Sequence, residues 1–188
     1  MYKHCATEES ARRQREFEQC LLDLMQTVPY SQITIGDICE HMNLSRKSFY
    51  RYFSSKDGCL YALIDHSIMD FVSIYMPSDA ALQREMFEQY FVYWKKLSPL
   101  LEALCKNQLA TCLSERTIRC VSEEEHELRN LMRAHGRDDS YEQILFVVCG
   151  ITGILINWHM TGYQKPAAQM AETLERLLAR MLPATEEA

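Results

Sequence analysis

Apolar residues recur at helical spacing along most of the chain. Phe17, Cys20, Leu21, Leu24 and Val28 fall at i, i+3, i+4, i+7 and i+11, the mark of one buried helical face. The pattern predicts a helix from about Ser10 until Pro29 prevents its continuation. A short helix bearing Ile35, Ile38 and Met42 follows, capped by Thr34, with Asp37 near the positive end of its dipole. Asn43 ends it, because asparagine is one of the few residues other than glycine that tolerates a left-handed backbone. Ser45 caps the next helix, where Phe49 and Phe53 stand four residues apart on one side. Ser55 caps a longer one carrying Leu60, Leu63, Ile64, Ile68 and Phe71, which is expected to run out before Pro77.

Past Pro77, Leu82, Met86, Tyr90 and Trp94 continue at four-residue steps, with Phe87, Phe91 and Leu97 beside them. Leu100 to Leu113 reads as the next helical stretch after Pro99. A polar helix or irregular segment, SERTIRCVSEEEHELRNLMRAH, then leads to a loop at GRDDS. Two apolar helices finish the pattern, Tyr141 to Thr161 and about Ala167 to Leu182, the second striped by Met170, Leu174, Leu177, Leu178 and Met181. With 6 glycines and 5 prolines in 188 residues there is little material for the turns of a β fold, so the expected class is all-α. The expected division is a three-helix N-terminal unit over residues 1–71 and a larger helical domain over residues 72–188.

Charge changes the picture at one place. The stretch NLSRKSFYRYFSSKDG, residues 43–58, sets Arg46, Lys47, Arg51 and Lys56 against Asp57 alone, a local charge of +3 in a chain of formal charge -6, which leaves -9 for the remainder. A cationic patch on an acidic body favours contact with a polyanion through one face. Two short helices separated by a three- to four-residue turn, the second cationic on its free side, make a helix-turn-helix. Arginine bonds a guanine edge bidentately, for roughly 1–3 kcal/mol of discrimination, whereas lysine, hydroxyls and helix N-termini position the phosphate backbone. Phe49 and Phe53 are expected in the core rather than stacked on bases.

Other chemistries find less support. No pair of the eight cysteines has C-x-x-C spacing, and the thiols read as buried groups in a reducing cytosol. The histidines form neither a metal quartet nor a catalytic pair, no nucleophile-base pair or cofactor loop appears, and no cofactor, metal or enzymatic activity is expected. The N-terminus lacks the apolar core of a signal peptide. The apolar run Ile144 to Ile156 falls short of the roughly 18 residues of a membrane span, so a cytoplasmic protein with no membrane partner is expected.

The residues ITIGDICEHMNLSRKSFYRYFSSKDGCLYALI resemble the DNA-binding signature of TetR-type transcriptional regulators, in which a capped short helix and turn precede a hydroxyl-F-Y-x-Y-F-x-S-K run. The resemblance implies an all-helical homodimer that places two recognition helices in successive major grooves of an operator, with a C-terminal domain that dimerises and binds a small effector. It also implies DNA contacts at Thr34, Ser45, Arg46, Lys47, Ser48, Tyr50, Arg51, Tyr52 and Lys56. This chain departs from the pattern at Gly36, where some members carry a base-reading side chain, at Asn43, the usual turn glycine, and at Cys39, the usual alanine. The run FVVCGITGILINWHMTG and the alanine-rich helix after it resemble the subtype that includes regulators related to dihydroxyacetone-kinase operon activators.

For the effector, Met86, Tyr90, Phe91 and Trp94, facing Leu104, Cys105, Leu109 and Phe146, form the candidate pocket, with plain core as the alternative. For the homodimer, Gly150, Gly153, Ile154, Trp158, Leu174, Leu178 and Met181 form the candidate interface, with an intrachain core as the alternative. The expected function is a ligand-responsive repressor. The competing reading is a helical protein-interaction module that keeps the helix-turn-helix shape without reading DNA, and selection from random DNA separates the two.

Overall fold

The computed structural model of the chain describes residues 2–3, 5–75, 83–122 and 140–181. Nine helices are found among the described residues: α1 (Glu8–Thr27), α2 (Ile35–His41), α3 (Arg46–Phe49), α4 (Lys56–Tyr75), α5 (Gln83–Lys96), α6 (Ser98–Lys106), α7 (Thr111–Ser122), α8 (Tyr141–Met160) and α9 (Ala167–Met181). A single 3-10 turn, Tyr30–Gln32, connects α1 to α2. An isolated bridge between Tyr2 and Phe53 is the only extended pairing among these residues, so the fold is all-α, as expected.

Local chemistry sets the helix ends. Thr7 caps α1 by accepting from the amide of Ser10, which starts the helix two residues before the expected Ser10. Val28 turns extended ahead of Pro29, as the ring requires of its predecessor. The stretch Leu100 to Leu113 departs from expectation, because it is two helices rather than one. Gln108 adopts φ 59°, and the amide of Leu109 closes back on the carbonyl of Leu104 at 2.8 Å, ending α6. Periodicity carries no signal for that break, since Leu101, Leu104 and Leu113 are all buried on either side of it. The segment read at 123–139, including the first four residues of GRDDS, and the positions Pro77, Leu82 and Leu182 lie outside the described residues.

The chain forms two compact units, and the first comprises Met1–Met69 with Pro99–Thr117. Its core holds Phe17, Leu21, Ile38, Phe49, Phe53, Leu60, Ile64, Leu100 and Leu104, each 0–1 % exposed, and each such side chain contributes roughly 1.5–3 kcal/mol by leaving water. Two buried polar pairs lie beside these residues. Glu18 of α1 is 1 % exposed and meets His66 Nδ1 of α4 at 2.9 Å. Asp65 of α4 accepts from Arg116 Nε of α7 at 2.7 Å, from a second guanidinium nitrogen, and from the hydroxyl of Tyr2 at 2.8 Å.

The second unit comprises Asp70–Ser98 and Ile118–Ala188. In it α5 packs along α9 and also meets α8. Phe91 meets Trp158 edge-on at 5.3 Å, and the Trp158 indole N–H donates to the carbonyl of Lys165 at 2.8 Å. Tyr163 stacks edge-on against Trp158 at 4.7 Å, with the ammonium of Lys95 5.1 Å from its ring centre. The apolar run of α8 is longer as a helix than as a hydrophobic string: its 20 residues are long and apolar enough to cross a membrane by length and composition. Thr152, Leu155 and Trp158 nonetheless form a buried stripe along it.

The Asp65–Arg116 pair yields a test. Removing one member leaves the other charged and buried, which costs roughly 3–5 kcal/mol. Asp65→Ala is expected to lower unfolding stability in urea by that amount, and adding Arg116→Met to recover part of it. Purely additive losses would show that the two residues do not act as a pair.

Candidate nucleic-acid interface

The interface is built on α2, the turn Met42–Ser45 and α3. Thr34 and Asp37 form a reciprocal capping box at the start of α2: the Thr34 hydroxyl accepts from the Asp37 amide at 3.2 Å, and Asp37 Oδ2 accepts from the Thr34 amide at 2.8 Å and its hydroxyl at 2.9 Å. The Thr34 hydrogen bonds, with help from Arg46 and Lys56, hold the Asp37 carboxyl below its usual range. Asn43 takes φ 57°, and the amide of Leu44 reaches back to the carbonyl of Cys39 at 2.8 Å. The chain thereby reverses into Ser45, which caps α3 by accepting from the amide of Ser48 at 3.3 Å.

Regular helix lasts only four residues in α3, and the carbonyls of Ser48 and Phe49 then receive the amides of Arg51, Tyr52 and Phe53 in tightening turns. Phe49 and Phe53 are fully buried, with ring centres 5.1 Å apart and 5.5 and 6.1 Å from Phe17 of α1. Tyr52 is half-buried against Phe17, and its carbonyl accepts from the amide of Lys3 at 2.9 Å. With its apolar side held in this way, α3 turns Ser45, Arg46, Lys47, Tyr50 and Arg51 to solvent, with Ser48 half-exposed among them. Half of the Tyr50 surface is exposed, its ring edge-on to Phe49.

Two of the sequence-derived contact residues have work inside the protomer. The Thr34 hydroxyl belongs to the capping box. Lys56 is only part-exposed, and its ammonium donates to the carbonyls of Tyr30 and Ile33, the second at 2.6 Å, while lying 4.1 Å from the centre of the Tyr30 ring. Tyr30 is itself a hub: its hydroxyl donates to Asp57 and its amide donates to Asn107 Oδ1 at 2.6 Å. Burial, then the Asp57 bond, pushes the Tyr30 phenol pKa up. Sequence reasoning missed both Tyr30 and Asn107, since neither belongs to an apolar stripe and the bonds that make the hub join Tyr30 to residues 26 and 77 positions away.

The remaining candidate residues fall in both units. Met86, Tyr90, Phe91 and Trp94 are together on α5 in the second unit, with Phe91 and Trp94 buried and Met86 and Tyr90 half-buried. Leu104, Cys105 and Leu109 belong to the first unit. Phe146 is 52 % exposed on α8. Gly150 and Gly153 are also exposed, with no described residue within 4 Å of where a Cβ would stand, whereas Trp158 and Leu174 are buried within the protomer. Ile154 and Leu178 are intermediate, and the Met181 side chain lies outside the described residues. Burial pushes the Cys20 thiol up to about 11 and raises Cys5, Cys39, Cys59, Cys105 and Cys112 as well, which makes these thiols poor nucleophiles. Among the described residues no three His, Cys, Asp or Glu side chains gather as a metal site.

Comparison with known proteins agrees with this geometry. Residues 22–63 match the profile of bacterial regulatory proteins of the tetR family, and residues 83–180 match that of a transcriptional regulator C-terminal region. No curated protein sequence matches the chain at a significant level. Among solved structures, the dihydroxyacetone kinase operon activator DhaS is similar with a TM-score of 0.57 and 15 % identity over 93 % of this chain and 98 % of its own. A putative TetR-family regulator from Syntrophomonas wolfei has a TM-score of 0.63 and 17 % identity over 94 % and 99 %. The fatty acid degradation regulator FadR from Bacillus halodurans has 0.56 and 14 % over 91 % and 96 %. At these identities the likeness is one of fold.

The capping box predicts a pH response. A carboxyl held below its usual range in the folded state contributes stability above its unfolded pKa of about 4, and that contribution is lost as pH falls through the folded value. The α2 amides are therefore expected to exchange faster below about pH 4. Asp37→Asn should lack that step, and an unchanged pH profile in the variant would remove Asp37 as its source.

Proposed function

The chain is a DNA-binding transcriptional regulator of the tetR family, and on that premise we propose that it is a ligand-responsive repressor, working in the cytoplasm as a homodimer on a pseudo-palindromic operator. One observation carries the reading of DNA: α3 is anchored through Phe49 and Phe53 while its opposite side offers Arg46, Lys47, Tyr50 and Arg51 to solvent with no acidic residue among them. In the proposed complex Arg46, Lys47 and Ser48 meet base edges, Tyr50 and Tyr52 contact bases and phosphates, and Ser45 and Arg51 contact the backbone. Thr34 and Lys56 stand at its rim, where they position the α2 N-terminus and α4 against the flanking phosphates.

The dimer supplies the second recognition helix, which must lie about 34–36 Å from the first to read a second half-site. Its proposed surface is the exposed stripe of α8, where Phe146, Cys149, Gly150, Gly153 and Met160 recur at helical spacing, with Leu177 exposed on α9. Ile154 and Leu178 flank it in the proposal, and Met181 is counted with them from its place in the sequence stripe alone. Trp158 and Leu174 support the stripe from within the protomer. The two glycines permit close approach of a facing helix.

The proposed effector contact is the aromatic face of α5. Tyr90 meets Phe71, Phe91 and Trp94 at 5.5, 5.5 and 6.2 Å. Burial raises its phenol pKa, and its hydroxyl makes no hydrogen bond among the described residues. It is the polar group available to orient an otherwise apolar ligand, with Met86 beside it. Phe71 and Tyr75 belong to the last turns of α4, the same continuous helix that starts at Lys56, so α4 is the covalent route by which a coupling of about 1–3 kcal/mol would reach the DNA-reading unit.

Arg46→Ala and Tyr50→Ala are each expected to abolish the gel shift of the protein's own upstream region while leaving helical circular dichroism unchanged. Parent-like binding by both variants would remove α3 as the recognition element. Binding by the parent should also weaken steeply with salt. Phe146→Glu is expected to yield a monomer by light scattering; a dimer of unchanged stability would place the interface elsewhere.

A further inference from the structure

We infer that Gly36 is a specificity-determining position: its missing side chain leaves open the notch at the start of α2 in which the Arg46 guanidinium lies, and so sets the base pair that Arg46 reads. The inference rests on the reading of α3 as the DNA-recognition element. A Cβ at position 36 would come within 2.9 Å of Arg46 Nη2, 3.7 Å of its Cζ and 3.2 Å of the Thr34 hydroxyl oxygen. The first distance is shorter than real Cβ atoms show, so something must move. The mobile partner is the exposed end of the Arg46 side chain, because Thr34 is tied into the capping box by three hydrogen bonds. Electrostatics agree with the placement: after the Thr34 hydrogen bonds, Arg46 helps to lower the Asp37 carboxyl, and it partly opposes the rise that burial imposes on the Cys39 thiol of the same helix.

The backbone does not require glycine here. Gly36 is not among the positive-φ residues and occupies the second position of α2, where alanine is a better helix former. The position therefore has a sterically defined use that is separate from folding. Arginine carries its donors in a rigid planar fork, so the direction in which that fork is seated decides which acceptor pair it meets. A seated guanidinium also has less rotamer freedom to lose on binding. At this position α2 offers a seat for a reading side chain that comes from the next helix. Gly36 is a positioning residue in this scheme, acting through Arg46.

The test is selection of bound duplexes from a random pool by the full-length parent, Gly36→Ala, Arg46→Ala and the double variant, with thermal unfolding measured alongside. The parent is expected to enrich a two-fold motif with a strong preference at one base pair per half-site that Arg46→Ala loses. Gly36→Ala is expected to weaken or change the preference at that same base pair by about tenfold, leaving the others intact and the melting temperature undiminished. Adding Gly36→Ala to Arg46→Ala should change nothing further. Enrichment of the parent motif at full preference by Gly36→Ala would overturn the inference, as would an equal effect in the Arg46→Ala background, which would show that position 36 acts without Arg46. A parent that enriches no sequence at all would overturn the DNA-reading function first, and the inference with it.

Discussion

The packing of Phe49 and Phe53 against Phe17 is the contact on which the interface depends. Four residues of helix are far below the length at which helix formation sustains itself in water, because nucleation fixes several dihedrals for each hydrogen bond gained. α3 persists because two fully buried rings, one turn apart, are clamped against a third from α1. The same clamp fixes the rotation of the short helix. With Phe49 and Phe53 directed inward, Arg46, Lys47, Tyr50 and Arg51 have no direction left but outward. Removing a ring of this kind costs roughly 3–5 kcal/mol, which is comparable with the stability of many small domains.

A polar framework holds what the rings alone leave loose. Tyr30 joins the α1–α2 connection to α4 through Lys56 and Asp57, and to the turn after α6 through Asn107. Asp65 joins α4 to α7 through Arg116 and receives the Tyr2 hydroxyl. Such bonds are directional, so they fix register where hydrophobic contacts permit sliding. Their presence explains why residues 99–117, separated from the N-terminal helices in sequence, belong to the same compact unit. They also account for Lys56, a cation within a basic stretch whose ammonium is engaged by two backbone carbonyls.

α8 presents the opposite condition, a helix with more apolar surface than its own unit covers. Its buried stripe is Thr152, Leu155 and Trp158, while Phe146, Leu145 and Met160 stand 52 %, 38 % and 72 % exposed. On the proposed reading, a regulator of a two-fold operator needs a symmetric partner, and a glycine-containing apolar stripe is suited to one. The acidic charge outside residues 43–58 is consistent with a body that stays clear of the duplex while one face binds it.

Much of this was legible from the residues alone, for a physical reason. Helical period, capping side chains and the left-handed tolerance of Asn43 act within a few residues of chain, and so Thr34, Ser45, Ser55 and the buried ring pair could be read directly from their spacing. The cationic residues of α3 were identifiable in the same way, because the positions not spent on Phe49 and Phe53 are the ones left over. What periodicity could not show was decided by contacts between distant segments: the split of α6 from α7 at Gln108, the hub at Tyr30, the buried carboxyl groups of Glu18 and Asp65, the outward placement of Phe146 and the inward placement of Trp158. Only the assembled α2–α3 pair brings Gly36 against Arg46, ten residues on. An apolar or small residue looks the same in sequence whether it faces its own core, a second copy or a neighbouring guanidinium, and tertiary packing alone selects among them.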